Sequence, residues 1–358
     1  MKESKKEITI IGAGLTGLTL AYILKKENYS IRIIEAREEI GGRILSVRKE
    51  NLAPLEMGAT WFGHKHTQIN EILADLGINS FEQRLGENAI YEPLSTSPPQ
   101  LVKLPPNGDE SSFRIKDGSI SLIQCLANHL QSACEIFTSK KVISIEKSTD
   151  GICVKTENDE FKSDVVVSTL PPYLLLKTVS FSPALHPKVR EVMRETHTWM
   201  GESIKVGLNY KKPFWRKANL SGTIFSNVGP IPEMYDHANF EDSHFALKGF
   251  LNGAYFALKK EERLGLILTQ LRKYFGNQAD DFIWYEEKVW RNDPLTFSPY
   301  ESDILPHQNN GHPVFAQPLL DNTFFIAGSE TASQFPGYME GAIRSAQYVA
   351  ASIKGMSK

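Results

Sequence analysis

The chain has 358 residues, 41% of them hydrophobic, 23% charged and 10% aromatic; it is longer than one ordinary domain and has ample material for a large core. A formal charge of −2 provides no field for a polyanion, which excludes nucleic-acid binding. Cys125, Cys134 and Cys153 are scattered, with no C-x-x-C pair, so neither a disulfide framework nor a thiolate zinc site is indicated, and a reducing cytoplasm suits them.

In chain order, Lys5 and Lys6 precede an uncharged stretch over 8–24 that has the outline of a signal peptide. Gly12, Gly14 and Gly17 interrupt it, and no small-residue cleavage site follows. No other segment approaches the roughly 20 apolar residues of a membrane span, so a soluble protein is expected. The β-branched run 8–11 reads as a buried parallel strand, 12–17 as a turn, and Leu18, Ala21 and Tyr22 recur at helical spacing. A second apolar strand, 31–35, ends on Glu35, which completes a right-handed βαβ unit. The Pro/Ser-rich stretch 91–108 reads as an extended excursion or a mobile loop. A helix is expected near 120–130, strands at 152–156, 164–169 and 203–210, and a helix over 261–275. The C-terminus repeats the opening: a strand at 323–327, a turn at Gly328-Ser329-Glu330, then a helix with Ala342, Ala346, Val349, Ala350 and Ile353 on one face.

Gly12-x-Gly14-x-x-Gly17 lies between a strand and a helix, with Glu35 closing the next strand. Gly12 suits a tight turn, Gly14 a backbone that approaches a pyrophosphate, and Gly17 close contact of helix and strand. Leu15 and Thr16 lie where the turn runs into the helix, whose N-terminal N–H groups favour phosphates, and Glu35 is placed to accept from ribose hydroxyls. No second such fingerprint appears, so a separate NAD(P)H domain is not expected.

The run Glu35-Ala36-Arg37 continues into Gly41-Gly42-Arg43, and Met57-Gly58-Ala59-Thr60-Trp61 follows. Both resemble the FAD family that includes monoamine oxidases, polyamine oxidases and carotene desaturases. Gly328-Ser329-Glu330 with Gly337-Tyr338-Met339-Glu340-Gly341-Ala342, the run from Ile204 to Lys217, and residues 290–300 are similar to monoamine oxidases in particular.

The resemblance implies an α/β (α+β overall) architecture. A Rossmann-like FAD-binding domain over 1–79, 118–194 and 293–358 would sit beside a reduced mixed-sheet substrate domain over 80–117 and 195–292. It assigns to the cofactor Gly12, Gly14, Leu15, Thr16 and Gly17, Glu35, Ala36, Arg37, Gly41, Gly42 and Arg43, Met57, Gly58, Ala59 and Thr60, Val142 and Trp290, and Gly328, Ser329, Glu330, Gly337, Tyr338, Met339 and Ala342. It gives Lys205 a place against the flavin, where a cation assists reoxidation by oxygen, and makes Tyr300 and Tyr338 the two walls of an aromatic cage. Where monoamine oxidases carry the cysteine bonded to flavin this chain has Pro299, so non-covalent FAD is expected. The implied reaction oxidises an amine C–N bond to an imine and passes electrons to oxygen, giving hydrogen peroxide; no membrane anchor is expected. Two alternatives stay open: a desaturase or porphyrinogen-type dehydrogenase, and a flavin-binding protein without amine turnover. His64 and His66 lack a third metal ligand, and His64 is the candidate to border the site.

Overall fold

The computed structural model describes residues 5–104 and 111–356. Its first sheet is parallel, in the order Cys134–Phe137, Tyr29–Ile34, Lys6–Ile11, Val165–Ser168, Phe324–Ile326. These strands are near-continuous apolar runs because both faces are covered. Ile8, Ile10, Ile31, Ile33, Val165 and Val167 face the helices Leu15–Leu24, Ile120–Asn128 and Met339–Gly355. Ile11, Ile34, Val166, Phe324 and Ile326 face the other way, onto a four-stranded sheet that supplies Ile145, Ile152 and Val154. The helix at each end of the chain packs into the first of these cores, through Leu18 and Leu20 at one end and Ala346, Val349, Ala350 and Ile353 at the other.

The second large sheet has seven strands, in the order Phe282–Val289, Ile204–Tyr210, Phe245–Leu251, Glu233–Asp236, Leu220–Ser226, Asn88–Glu92, Gln100–Lys103. Lys260–Phe275 covers one face with Ile267 and Leu271. The other face meets residues 53–57. A side chain at Gly207 would strike Leu55, and Asn209 donates to the Ala53 carbonyl at 3.0 Å. Strand Ile204–Tyr210 is therefore buried on both sides, and Lys205 shares that face.

The Pro/Ser-rich stretch differs from its expectation. Asn88–Glu92 and Gln100–Lys103 pair antiparallel as a hairpin at the sheet's edge, so backbone pairing overrides what composition suggests; Pro105 to Gly108 lie outside the described residues. Among the described residues, no helix is long and apolar enough to cross a membrane, no metal-binding cluster occurs, and the cysteines are free.

Candidate active site

One cavity of about 540 Å³ lies where the parallel strands end, within the range of about 300–1,000 Å³ usual for ligand pockets. Its walls include Gly12, Gly14, Leu15, Thr16, Glu35, Ala36, Arg37, Gly41, Gly42, Arg43, Gly58, Ala59, Thr60 and Val142. From later in the chain come Lys205, Trp290, Ser329, Gly337, Tyr338, Met339 and Ala342.

The glycines of the fingerprint divide by what requires them. Gly12 has φ +105° and a Cβ there would lie 2.4 Å from Thr169 Oγ1, while one on Gly17 would lie 2.0 Å from the Gly12 carbonyl. Both serve the protein's own packing. Gly14 is different: its φ is −79°, open to any residue, and the nearest protein atoms to an added Cβ are 3.9 Å away. Nothing in the chain demands glycine there, yet it lines the cavity, as a backbone against which a ligand passes closely would. The helix behind it starts without a side-chain cap, so its first N–H groups remain available to a phosphate. Glu35 is fixed by the N–H groups of Ala13 (2.7 Å) and Arg37 (2.9 Å). Arg37 is in turn held by Asp293 through two bonds of 3.1 and 2.9 Å and by Thr296. These features fit a dinucleotide.

Arg43, in the cavity wall, grips Glu330 with both terminal guanidinium nitrogens, one bond measuring 2.8 Å, and Ser329 at 3.0 Å. Burial opposes both charges. Their attraction outweighs it, raising the Arg43 pKa and holding the Glu330 carboxyl below its usual range.

Farther along, Lys205 is buried and its Nζ donates to the Gly58 carbonyl. Burial pushes its amine down to about 8, opposed by Glu56. Trp61, Phe250 and Glu233 line the cavity around it. Tyr338 faces Trp199, with ring centroids 5.9 Å apart at 37°; His307 stacks on Trp199 at 3.8 Å.

Several expected site residues sit elsewhere. Tyr300 is absent from the cavity's lining. Its hydroxyl accepts the Thr198 N–H at 2.9 Å and its ring packs edge-on against Tyr173 and Phe297, so it fastens the loop that presents Trp199, and Trp199 lines the cavity with Tyr338. Met57 turns into a core with Ala53, Leu55 and Ala246; only its carbonyl approaches, accepting from Trp290 Nε1 at 2.7 Å. Gly17, Gly328 and Glu330 stand behind the lining, Glu330 because its carboxylate is spent on Arg43. His66, not His64, lies beside Tyr338, 6.0 Å between centroids; His64 packs on Phe113. Sequence reasoning missed Trp199, Phe250, Glu233 and the fully buried Lys248. Only Lys248 left a trace, as a lone charge amid Phe245-Ala246-Leu247 and Gly249-Phe250-Leu251.

A nucleotide cradle that opens, within one cavity, onto a buried lysine between aromatic walls defines a dinucleotide-dependent oxidoreductase. The sequence pattern of the family "Flavin containing amine oxidoreductase" matches residues 106–354, and that of an NAD(P)-binding Rossmann-like domain matches 10–76. The chain belongs to the flavin-containing amine oxidoreductases and is a flavin-dependent enzyme.

Human amine oxidase [flavin-containing] B is 22% identical over 452 aligned positions, covering 98% of this chain and 86% of that protein. The probable flavin-containing monoamine oxidase A of Dictyostelium discoideum is 23% identical, covering 97% of each. Among solved structures, putrescine oxidase bound to putrescine matches with TM-score 0.86 at 21% identity, over 98% of this chain and 99% of that one. Cyclohexylamine oxidase from Brevibacterium oxydans matches with TM-score 0.86 at 18% identity, over 99% and 100%. At these identities the structural matches speak to the fold alone.

Proposed function

We propose that the protein binds FAD non-covalently and oxidises a small-molecule amine to an imine, with molecular oxygen taking the electrons and leaving as hydrogen peroxide. The observation that carries this reading is the continuity of the cavity: Gly14, Glu35, Lys205, Trp199 and Tyr338 line one space. We assign residues 1–79, 118–194 and 293–358 to cofactor binding and 80–117 with 195–292 to the substrate. Non-covalent attachment is supported by the cavity's lining, which contains no cysteine.

Gly14, the adjoining helix start and Glu35 would hold the pyrophosphate and ribose; Gly42, Ala59, Thr60, Ser329 and Met339 would flank the rest. When bound, the flavin accepts two electrons and a hydrogen from the amine's α-carbon. Trp199 and Tyr338 present ring faces whose negative quadrupole orients an amine between them. With Trp61 and Phe250 they make that end apolar, which favours the neutral amine over its ammonium, so turnover should rise with pH through the amine's own ionisation. Lys205 contributes a cation at the place where negative charge develops as electrons arrive.

The test is anaerobic mixing of FAD-loaded protein with amines, followed by mixing of the reduced protein with oxygen. Amines bleach the flavin if the reading holds, and Lys205→Met slows the oxygen step by about tenfold or more while flavin reduction changes less. A bound flavin that no amine reduces would overturn the proposal. Equal effects of Lys205→Met on both half-reactions would remove Lys205 from the oxygen step.

A further inference from the structure

Lys248 is fully buried, stands outside the cavity's lining, and has no part in the reading above. It lies on strand Phe245–Leu251, opposite Gly207, which presents no side chain, and on its other side opposite Tyr235. Its Nζ is 3.0 Å from Thr60 Oγ1, 3.9 Å from the centre of the Trp61 ring and 4.9 Å from that of Phe250. Those three residues do line the cavity, so the amine meets this wall from behind. Among the described residues, no carboxylate pairs with it within 4.0 Å.

We propose that Lys248 is a positioning residue that pins the segment 58–61, so that its indole bounds the amine substrate and its carbonyl anchors Lys205. This rests on the reading above, in which the cavity takes flavin and amine. Three bonds form a chain. Lys248 Nζ donates to Thr60 Oγ1, Thr60 Oγ1 donates to the Gly58 carbonyl at 3.1 Å, and the same carbonyl accepts from Lys205. The directions are fixed, because a carbonyl only accepts and a hydroxyl has one proton to give. They hold for an ammonium and for a neutral amine alike, since both carry N–H groups. The indole is gripped at its own N–H as well: Trp61 Nε1 donates to Gln83 Oε1 at 2.9 Å, and Gln83 Nε2 donates to the Asp236 carbonyl at 2.7 Å. A ring held only at Cβ and Nε1 can still rock about the line between them. The Lys248 amine over its face and the edge-on Tyr235 ring, 5.2 Å between centroids, remove that freedom.

Packing alone does not call for a lysine at this place. Methionine fills nearly the same volume, and a buried amine with no paired carboxylate costs stability. Burial holds this amine well below the ordinary lysine range. What lysine adds over methionine is its N–H groups, and these are directed at Thr60 and Trp61.

Two measurements test this, each on Lys248→Met and on Lys248→Gln, whose amide restores an N–H donor. In flavin-loaded protein without oxygen, the rate of flavin reduction is followed against amine concentration. Lys248→Met weakens the apparent amine affinity by about tenfold while the limiting rate falls less than about twofold, and Lys248→Gln recovers part of the loss. The melting temperature of Lys248→Met is unchanged or higher, which a lysine with only a structural role would not give. An unchanged affinity, or a limiting rate that falls as far as the affinity, overturns the proposal. The second measurement needs no flavin, and so separates failure of the wall from failure of the functional reading. The Trp61 indole N–H resonance, assigned by its loss in Trp61→Phe, is followed in isotope-labelled, flavin-free protein. Lys248→Met speeds its exchange with solvent by about tenfold or more, and Lys248→Gln recovers part of that. An unchanged exchange rate overturns the proposal even if the protein binds no flavin.

Discussion

Glu330 has no exposed surface, and its carboxylate accepts from Arg43, from Ser329 and, at 3.2 Å, from the Trp199 N–H. One side chain thus ties three parts of the wall together: the segment carrying Arg43, the C-terminal turn and the loop bearing Trp199. Glu330→Gln keeps the shape but withdraws the charge that Arg43 was placed to meet. Because Arg43 is partly exposed, the expected loss is about 2 kcal/mol of unfolding free energy, below the figure for a sealed pair; a urea midpoint unchanged from the parent would contradict it. The sign with pH follows from the depressed carboxyl. Between its folded value and the unfolded value of about 4.3 the native state binds fewer protons. The contribution is therefore whole above that window and is lost as pH falls through the folded value. The gap between parent and variant should close on acidification.

At the level of elements, the first strand–turn–helix predicts opposite outcomes for two glycines three residues apart. Gly17→Ala drives a methyl into the Gly12 carbonyl and should destabilise the fold by about 2 kcal/mol or more. Gly14→Ala meets only ordinary protein contacts, so thermal unfolding of flavin-free protein should be unchanged while FAD affinity falls about tenfold or more. Loss of stability in Gly14→Ala with intact flavin binding would show that the glycine answers to the fold and not to a ligand. This unit was legible in the sequence because its signals are local: a β-branched run, three glycines at fixed spacing and an acidic residue at the next strand's end. The Lys205 strand was legible as a local apolar run, but the inward place of Lys205 came from the resemblance to monoamine oxidases and not from the strand itself. The aromatic face beside Tyr338 in the cavity was not legible. Trp199 lies in a loop, with no periodicity to place it, and Tyr300 was displaced by a hydrogen bond to Thr198 that only the folded chain creates. Lys248 escaped because a charge in a strand ordinarily faces water; its burial depends on Gly207 and Trp61, which are distant in sequence.

For the whole molecule, the cavity is walled by residues from both large sheets. Gly12, Glu35 and Thr169 stand at the ends of the parallel strands, while Lys205, Glu233 and Phe250 come from the seven-stranded sheet. A cofactor held there touches both, so its binding energy should be shared by both. At FAD a hundredfold above its dissociation constant, unfolding should become harder by about 2.7 kcal/mol. The distribution of that gain is the sharper measurement. Amide hydrogen exchange should slow in Lys6–Ile11 and equally in Ile204–Tyr210, which lie in different sheets. The edge strand Gln100–Lys103, remote from the cavity lining, should exchange as before. Slowing confined to the parallel sheet would mean that the nucleotide half is gripped while the flavin half does not reach Lys205. The oxidation chemistry assigned to that lysine could not then stand.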